Sequence, residues 1–404
     1  MALSGHHGHH GHHGHHGHHG HHGHHGHHGH YAAGDGSPLL SAALGRTAEA
    51  LMGYWDGTYD GVFLGTEDYF PPDPATELRR LDCLDPDARL LVLTHEANRL
   101  FNVALGENRV NLTVAHQNVD LTVTHQNLVS LTPPGFERLK CQLEHLRTAS
   151  DLRGDRLDEI IAQQSDMLSF FGAQQKLDGT RHRWTLVLLD AVYNCVVAQE
   201  MRIKHFCAAP RPIELSQQVQ PIIQTPAHSS YPSGHATEAF AFATALALLW
   251  QTAKDAKDGK DCKGPDCIAT VKAVICAAEC AQKTEDPSAQ PIAQLLRLAE
   301  RIANNRTVAG VHYPTDSAGG AVIGMSVAFV LAAYCGAGAT VPTWTVDGSG
   351  WCPAFTLFKW RDALNKGPAL GISAGDDLDA TCFAADDGSS LKAVWTAAVG
   401  EWRA

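Results

Sequence analysis

The stretch that most constrains this chain is Tyr231-Pro232-Ser233-Gly234-His235, which runs directly into the apolar, alanine-rich Ala236-Thr237-Glu238-Ala239-Phe240-Ala241-Phe242-Ala243. A Pro-Ser-Gly turn opening such a run reads as a helix start. Ser233 is placed to cap it, and nothing breaks the helix until well past Trp250. The first turn of a helix carries N–H groups without intrahelical partners and the positive end of the dipole, which suits an oxyanion. Gly234 allows close approach to the backbone, Ser233 adds a hydroxyl, and His235 adds a group that titrates near neutrality.

The turn has company. Upstream stand Lys204 and, after six residues, Arg211-Pro212. Downstream come Arg306, then His312 after five intervening residues, and Asp316 after three more. Three permanent cations, histidine and hydroxyl donors and one backing carboxylate fit a tetrahedral oxyanion. Asp316 can cap the helix that follows Pro314 and accept the far ring N–H of His312, fixing its tautomer.

Taken together, Lys-x6-Arg-Pro, Pro-Ser-Gly-His and Arg-x5-His-x3-Asp resemble the three-part signature shared by type 2 phosphatidic acid phosphatases, bacterial non-specific acid phosphatases and vanadium-dependent haloperoxidases. The resemblance covers roughly residues 200–320. It departs at Asn305, where the phosphatases usually carry Ser. It implies a mainly α-helical bundle in which Lys204, Arg211, Ser233, Gly234 and Arg306 hold the oxygens of a bound oxyanion, with Asp316 supporting His312. Two chemistries follow from the resemblance. In one, His312 attacks phosphorus, forming a phosphohistidine, and His235 protonates the leaving group of a phosphomonoester. In the other, vanadate is the cofactor, His312 is its axial metal ligand, and His235 moves protons while hydrogen peroxide oxidises a halide that then reaches an organic acceptor. A binding module without catalysis would keep the cations but need neither His235 nor the His312–Asp316 pair.

The segment from His228 to Thr237 resembles the haloperoxidases closely. His228 falls where their bromide-oxidising members carry a second active-site histidine, and Met201 stands where chloride-oxidising members carry Trp. The expectation is therefore a vanadate-dependent enzyme acting on bromide or iodide, with a soluble acid phosphatase as the alternative.

Composition narrows the setting. The chain has 404 residues and a formal net charge of −12, which argues against nucleic acid and anionic membrane partners. Its anion site must be a local basic focus in an acidic protein. Seventeen of the 26 histidines fall in the Gly-His-His repeat up to His30, which reads as an engineered tag and is excluded from fold reasoning. The 11 cysteines cluster only at Cys262, Cys267, Cys276 and Cys280. Their spacing fits no usual zinc set, and a Cys262–Cys267 disulfide in an exported protein is the favoured reading. The most apolar segment, Gly319 to Cys335, is rich in Gly, Ala and Ser and reads as a buried helix rather than a membrane span.

Along the chain, residues 1–36 form tag and linker, 37–133 an N-terminal helical and hairpin region, 134–345 the catalytic bundle, and 346–404 an extension packed on it. A short helix is expected near 42–53, loop at 57–74, and helical periodicity over Leu90–Leu105. The near-repeat of Leu112–Asn118 at Leu121–Asn127, with alternating Thr and Val, suggests a small hairpin near 110–128 bearing His116 and His125 as ordinary surface residues. Trp184, Val187, Leu188, Ala191, Cys195 and Ala198 fall at helical spacing and predict a long helix ending near Lys204. Residues 252–290, rich in Lys, Asp and Cys, read as an insertion outside the core.

Overall fold

Two long apolar segments, each buried on almost every side, set the architecture. The computed structural model describes residues 46–47, 76–117, 123–257, 266–276 and 290–403. Helices α1 (Glu77–Asp82) and α2 (Pro86–Asn98) precede strands β1 (Phe101–Leu105), β2 (Val110–Gln117) and β3 (Val123–Thr132). Then come α3 (Phe136–Ala149), α4 (Arg153–Ser165), α5 (Leu168–Gln175), the long α6 (Arg183–Cys207) and the single turn α7 (Pro212–Leu215). The bundle core is α8 (Gly234–Lys257), α9 (Asp266–Cys276), α10 (Gln290–Val308) and α11 (Pro314–Tyr334). The remainder adds β4 (Thr340–Val341), β5 (Trp344–Asp347), α12 (Leu357–Lys366), β6 (Ile372–Ala374), β7 (Leu378–Asp379) and α13 (Ser390–Glu401). The fold is mainly helical, as the sequence indicates.

Every residue from Ala236 to Leu249 on α8 is buried, and so is every residue from Pro314 to Ala333 on α11. Among the described residues α11 is the one helix long and apolar enough to cross a membrane. Of its most apolar window, 94% is covered by the rest of the protein, as expected of a core helix. Contact between the two helices is unusually close. A Cβ on Gly324 would lie 2.0 Å from the Thr237 carbonyl oxygen, and one on Gly320 would lie 2.6 Å from that of Ser233. Residues rise together along both helices in these contacts, so α8 and α11 run parallel and start at the same end of the bundle.

Three expectations need correction. The periodicity assigned to Leu90–Leu105 ends at Asn98, and Phe101–Leu105 is an edge strand, because its alternate residues Phe101 and Val103 face the core. The hairpin exists, but as the middle of a five-stranded sheet ordered β1-β2-β3-β5-β6, in which β3 pairs in parallel with β5. Its register sets Ala115 opposite His125 and His116 opposite Thr124, so the two histidines do not face one another. Third, the segment 252–290 is not wholly outside the core: α8 continues to Lys257, and Ile268, Val271 and Ile275 of α9 are buried in the main core. The regions 48–75 and 277–289 and Cys262 of the expected Cys262–Cys267 pair lie outside the described residues, and of the expected helix at 42–53 only 46–47 is described.

The C-terminal elements brace the bundle. Trp360 packs against Phe240 at 4.9 Å between ring centres and donates its indole N–H to the Ala318 carbonyl at 3.3 Å. Gln142 of α3 accepts the Thr315 N–H at 3.0 Å and donates to the Trp351 carbonyl at 2.8 Å, tying the start of α11 to both flanks. Because the α8–α11 crossing leaves no room for a methyl group, Gly324→Ala should destabilise the fold by on the order of 1–3 kcal/mol. Gly172→Ala, with nothing within 4 Å of its new Cβ, should instead gain about 0.5–1 kcal/mol from helix propensity. Urea unfolding of both variants checks the pair, and equal effects would contradict the close crossing.

Candidate active site

The buried stripe of α6 ends at Lys204, in the last turn, where a cation is favoured by the helix dipole. Its ammonium is buried and donates to the carbonyls of Pro232 and, at 3.5 Å, Ser229. The backbone just beyond is stitched to the Pro-Ser-Gly turn: Ser230 N–H donates to the Ala209 carbonyl and Ala209 N–H to the Ser229 hydroxyl, both at 2.9 Å. Between Pro210 and Pro212 the chain is extended, and Arg211 precedes α7 with its own N–H given to the Glu214 carboxylate.

Arg211 is the hub of the site. Its Nε donates to the His228 carbonyl at 2.9 Å and its Nη2 to His228 Nδ1 at 3.0 Å. Its Nη1 donates to the Val311 carbonyl at 2.9 Å and to His312 Nε2 at 3.0 Å. A planar fork with five donors serves both loops at once, which a lysine could not. On the other side of His312, Nδ1 lies 3.0 Å from Asp316 Oδ2, which also accepts the Tyr313 N–H at 3.0 Å. A carboxylate can only accept here, so Nδ1 carries the proton and Nε2 presents its lone pair to the cations.

Ser233 caps α8, accepting from Ala236 N–H at 3.4 Å, while its own N–H donates to the Asp316 carbonyl at 2.9 Å. That bond locks the start of α8 to the start of α11. His235, half-buried in the first turn of α8, donates from Nε2 to the Gln163 carbonyl at 3.1 Å, leaving Nδ1 as its basic nitrogen. Arg306 lies in the last turn of α10 and reaches the Ile160 carbonyl and Gln163 Oε1, each at 3.1 Å, through Nη2. Its Nε and Nη1 are buried and have no hydrogen-bond partner among the described residues. Buried guanidinium donors without partners are costly, and a bound oxyanion is what would satisfy them. Asn305 is turned away from the cations, donating to Glu159 and Gln163 of α4.

All the residues singled out from the sequence, Lys204, Arg211, His228, Ser233, Gly234, His235, Arg306, His312 and Asp316, therefore gather at one end of the bundle. Sequence reasoning missed Gln163, which holds both Arg306 and His235 from a distant helix. It also missed Glu200 and Glu238, whose signal was a charged residue inside an otherwise apolar helix face.

Burial first, then the cations of Arg211 and Lys204, hold the His312 ring well below the ordinary imidazole range. Burial pushes Asp316 upward against the Tyr313 N–H and the same cations. Arg211 and Arg306 are weakened by burial to about 10 and remain cationic at neutral pH. The ensemble is a histidine nitrogen beside Arg211 and Lys204, with Arg306 and a helix N-terminus at the same end of the bundle, an arrangement suited to a tetrahedral oxyanion.

Residues 184–337 match the family model of the PAP2 superfamily. This helical core is therefore similar to domains of the PAP2 superfamily. The PAP2 match begins with α6 and ends just after α11, so it contains every residue of the cradle, whereas the bracing α3, α4 and α12 lie outside it. No curated protein matches the chain.

Because its pKa is depressed, the His312 ring takes up a proton only at a pH well under the usual value near 6.5, and stays neutral above it. Ring NMR of His312 should show no protonation between pH 8 and 6, and Arg211→Gln should move the titration upward by removing a facing cation. Protonation of the native ring near 6.5 would contradict the closed cluster. Asp316→Ala should weaken anion binding roughly 10–100-fold, the usual loss when a supporting carboxylate is removed.

Proposed function

We propose that this chain is a vanadate-dependent haloperoxidase that uses hydrogen peroxide to oxidise bromide or iodide. The observation that carries the reading is the neutral His312 ring, its Nε2 lone pair turned toward Arg211 and its Nδ1 proton held by Asp316. A nitrogen that stays unprotonated among three cations suits a permanent ligand as well as it suits a nucleophile.

The donor set fits vanadate. Lys204, Arg211, Arg306 with its two N–H groups unpartnered among the described residues, the Ser233 hydroxyl and the Gly234 N–H would hold its oxygens, and His312 Nε2 would be its protein ligand. Bound vanadate supplies Lewis acidity that makes hydrogen peroxide electrophilic toward halide. The chain's own residues do the rest. His235 accepts a peroxide proton at Nδ1 while the Gln163 carbonyl holds the proton on Nε2. His228, oriented by Arg211, lines a cavity of about 770 Å³ with Lys204, Met201 and Ser229, on the side from which halide would approach.

Vanadate titration of the metal-free chain, followed by bromide and iodide turnover with peroxide, tests the reading. Activity should appear only with vanadate, and phosphate should compete with reconstitution at the shared cradle. Hydrolysis of p-nitrophenyl phosphate without any vanadate-dependent halide turnover would overturn it in favour of a phosphomonoesterase working through His312. His312→Ala should abolish both vanadate binding and turnover. His235→Ala should lose about 10²–10⁴-fold in turnover of both halides, whereas His228→Ala should change the bromide-to-iodide ratio. Equal loss of both halides in the His228 variant would make that ring scaffolding.

A further inference from the structure

Beneath the cradle lie two carboxyl groups that the proposed chemistry does not use. Glu200 stands one helical turn before Lys204 on α6, and Glu238 one turn after Gly234 on α8. Both are buried, and among the described residues neither Glu200 oxygen nor Glu238 Oε1 has a hydrogen-bond partner, the Thr237 hydroxyl near Glu200 donating instead to the Ser233 carbonyl at 3.0 Å. Glu200 presses against the anion-binding turn itself: a Cβ on Gly234 would lie 2.7 Å from its Oε1 and 3.2 Å from its Oε2. Gly234 is therefore required on two counts, for close approach of an anion on one side and of Glu200 on the other. Lys204 does not neutralise this carboxyl by contact, since its ammonium is given to the carbonyls of Pro232 and Ser229.

An unpartnered buried carboxyl is expensive and calls for a reason. The groups facing Glu200 are Lys204 and Tyr193 from its own helix, Glu238 and Thr237 from α8, and Arg211 from the following loop, with Arg306 facing Glu238. Burial raises both carboxyls, and Glu238 is raised further by Glu200, so Glu238 holds its proton more firmly and Glu200 is the first of the two to ionise. Ionised Glu200 therefore offsets part of the positive field that Lys204, Arg211 and Arg306 create at Gly234.

We infer that Glu200, backed by Glu238, sets the charge that the site accepts, matching it to a singly charged, protonated tetrahedral oxyanion in preference to a doubly charged one. Glu200 does not touch the bound anion's reacting atoms in this reading; it is a positioning and specificity residue acting through the field at Gly234. The inference rests on the anion-binding half of the proposed function and not on the halide chemistry.

The test uses tetrahedral anions whose charge does not change with pH. Perrhenate (one charge) and sulfate (two charges) are titrated into the full metal-free chain at pH 8 by calorimetry or by competition with vanadate. Glu200→Gln keeps the shape and removes the charge. A change in local potential acts twice on a dianion, so if perrhenate tightens about threefold, sulfate should tighten about ninefold. Glu238→Gln, which replaces the protonated partner, should not tighten sulfate. Equal factors for the two anions, no change, or weaker binding of both in Glu200→Gln would overturn the inference. A thermal melt confirms folding, and Glu200→Ala repeats the test if the glutamine variant does not fold. Wild type that binds neither anion would remove the cradle and this inference with it. Intact anion selectivity without halide turnover would leave the inference standing and defeat only the haloperoxidase reading.

Discussion

The close parallel crossing of α8 and α11 is the constraint on which the rest depends. Gly320 and Gly324 let α11 lie against the Ser233 and Thr237 carbonyls with no side chain between. Parallel packing brings two helix N-termini to the same end of the bundle, and Ser233 N–H donating to the Asp316 carbonyl fixes their relative height. One end of the protein thus collects two positive dipole ends, each worth a fraction of a kcal/mol to a nearby anion at the surface and more when buried. An acidic protein of net charge −12 obtains a basic focus by geometry as much as by its lysines and arginines.

The cations themselves are held by carbonyls more than by carboxylates. Lys204 is held by Pro232 and Ser229, Arg211 by His228 and Val311, and Arg306 by Ile160 and Gln163. A carbonyl orients a guanidinium without cancelling its charge, whereas a direct ion pair would leave little for a ligand. The carboxylates near the site are correspondingly indirect: Asp316 acts on His312, Glu214 on a backbone N–H, and Glu159 on Arg301 and Asn305 of the bracing layer. Preorganised donors around an unscreened charge are what electrostatic stabilisation of a transferring group requires.

How much of this was legible in the sequence follows from which contacts are local. The Pro-Ser-Gly turn, the cap at Ser233 and the His312–Asp316 pair span a few residues, and each was readable from spacing. The order of the three cations and their convergence could be read because their motifs together resemble a known three-part signature. What escaped was set by partners far along the chain. Val129 pairs with Trp344 in a parallel ladder, so a stretch that looks like an isolated hairpin becomes the centre of a sheet. Gln163 reaches Arg306 and His235 from α4, which carries no motif. The segment around α9 looks like an exposed insertion by composition, yet Ile268, Val271 and Ile275 at helical intervals fill the core. Glu200 looks like an ordinary helix charge until Gly234 is placed against it.

The deepest coupling lies at Asp316. As the third residue of α11 its carboxylate caps that helix by accepting the Tyr313 N–H, a role that any first-turn acid could fill for the sake of folding. The same oxygen accepts the His312 ring N–H and so decides which nitrogen of the ring is basic. The chemistry therefore takes its ligand orientation from a helix cap, and the cap takes its position from the α8–α11 crossing through Ser233. A mutation that loosened the crossing would not simply lower stability: it would rotate the ring whose Nε2 faces Arg211. Fold and reactivity share one set of hydrogen bonds, which is why the residues bearing the chemistry are also among the most deeply buried polar groups in the protein.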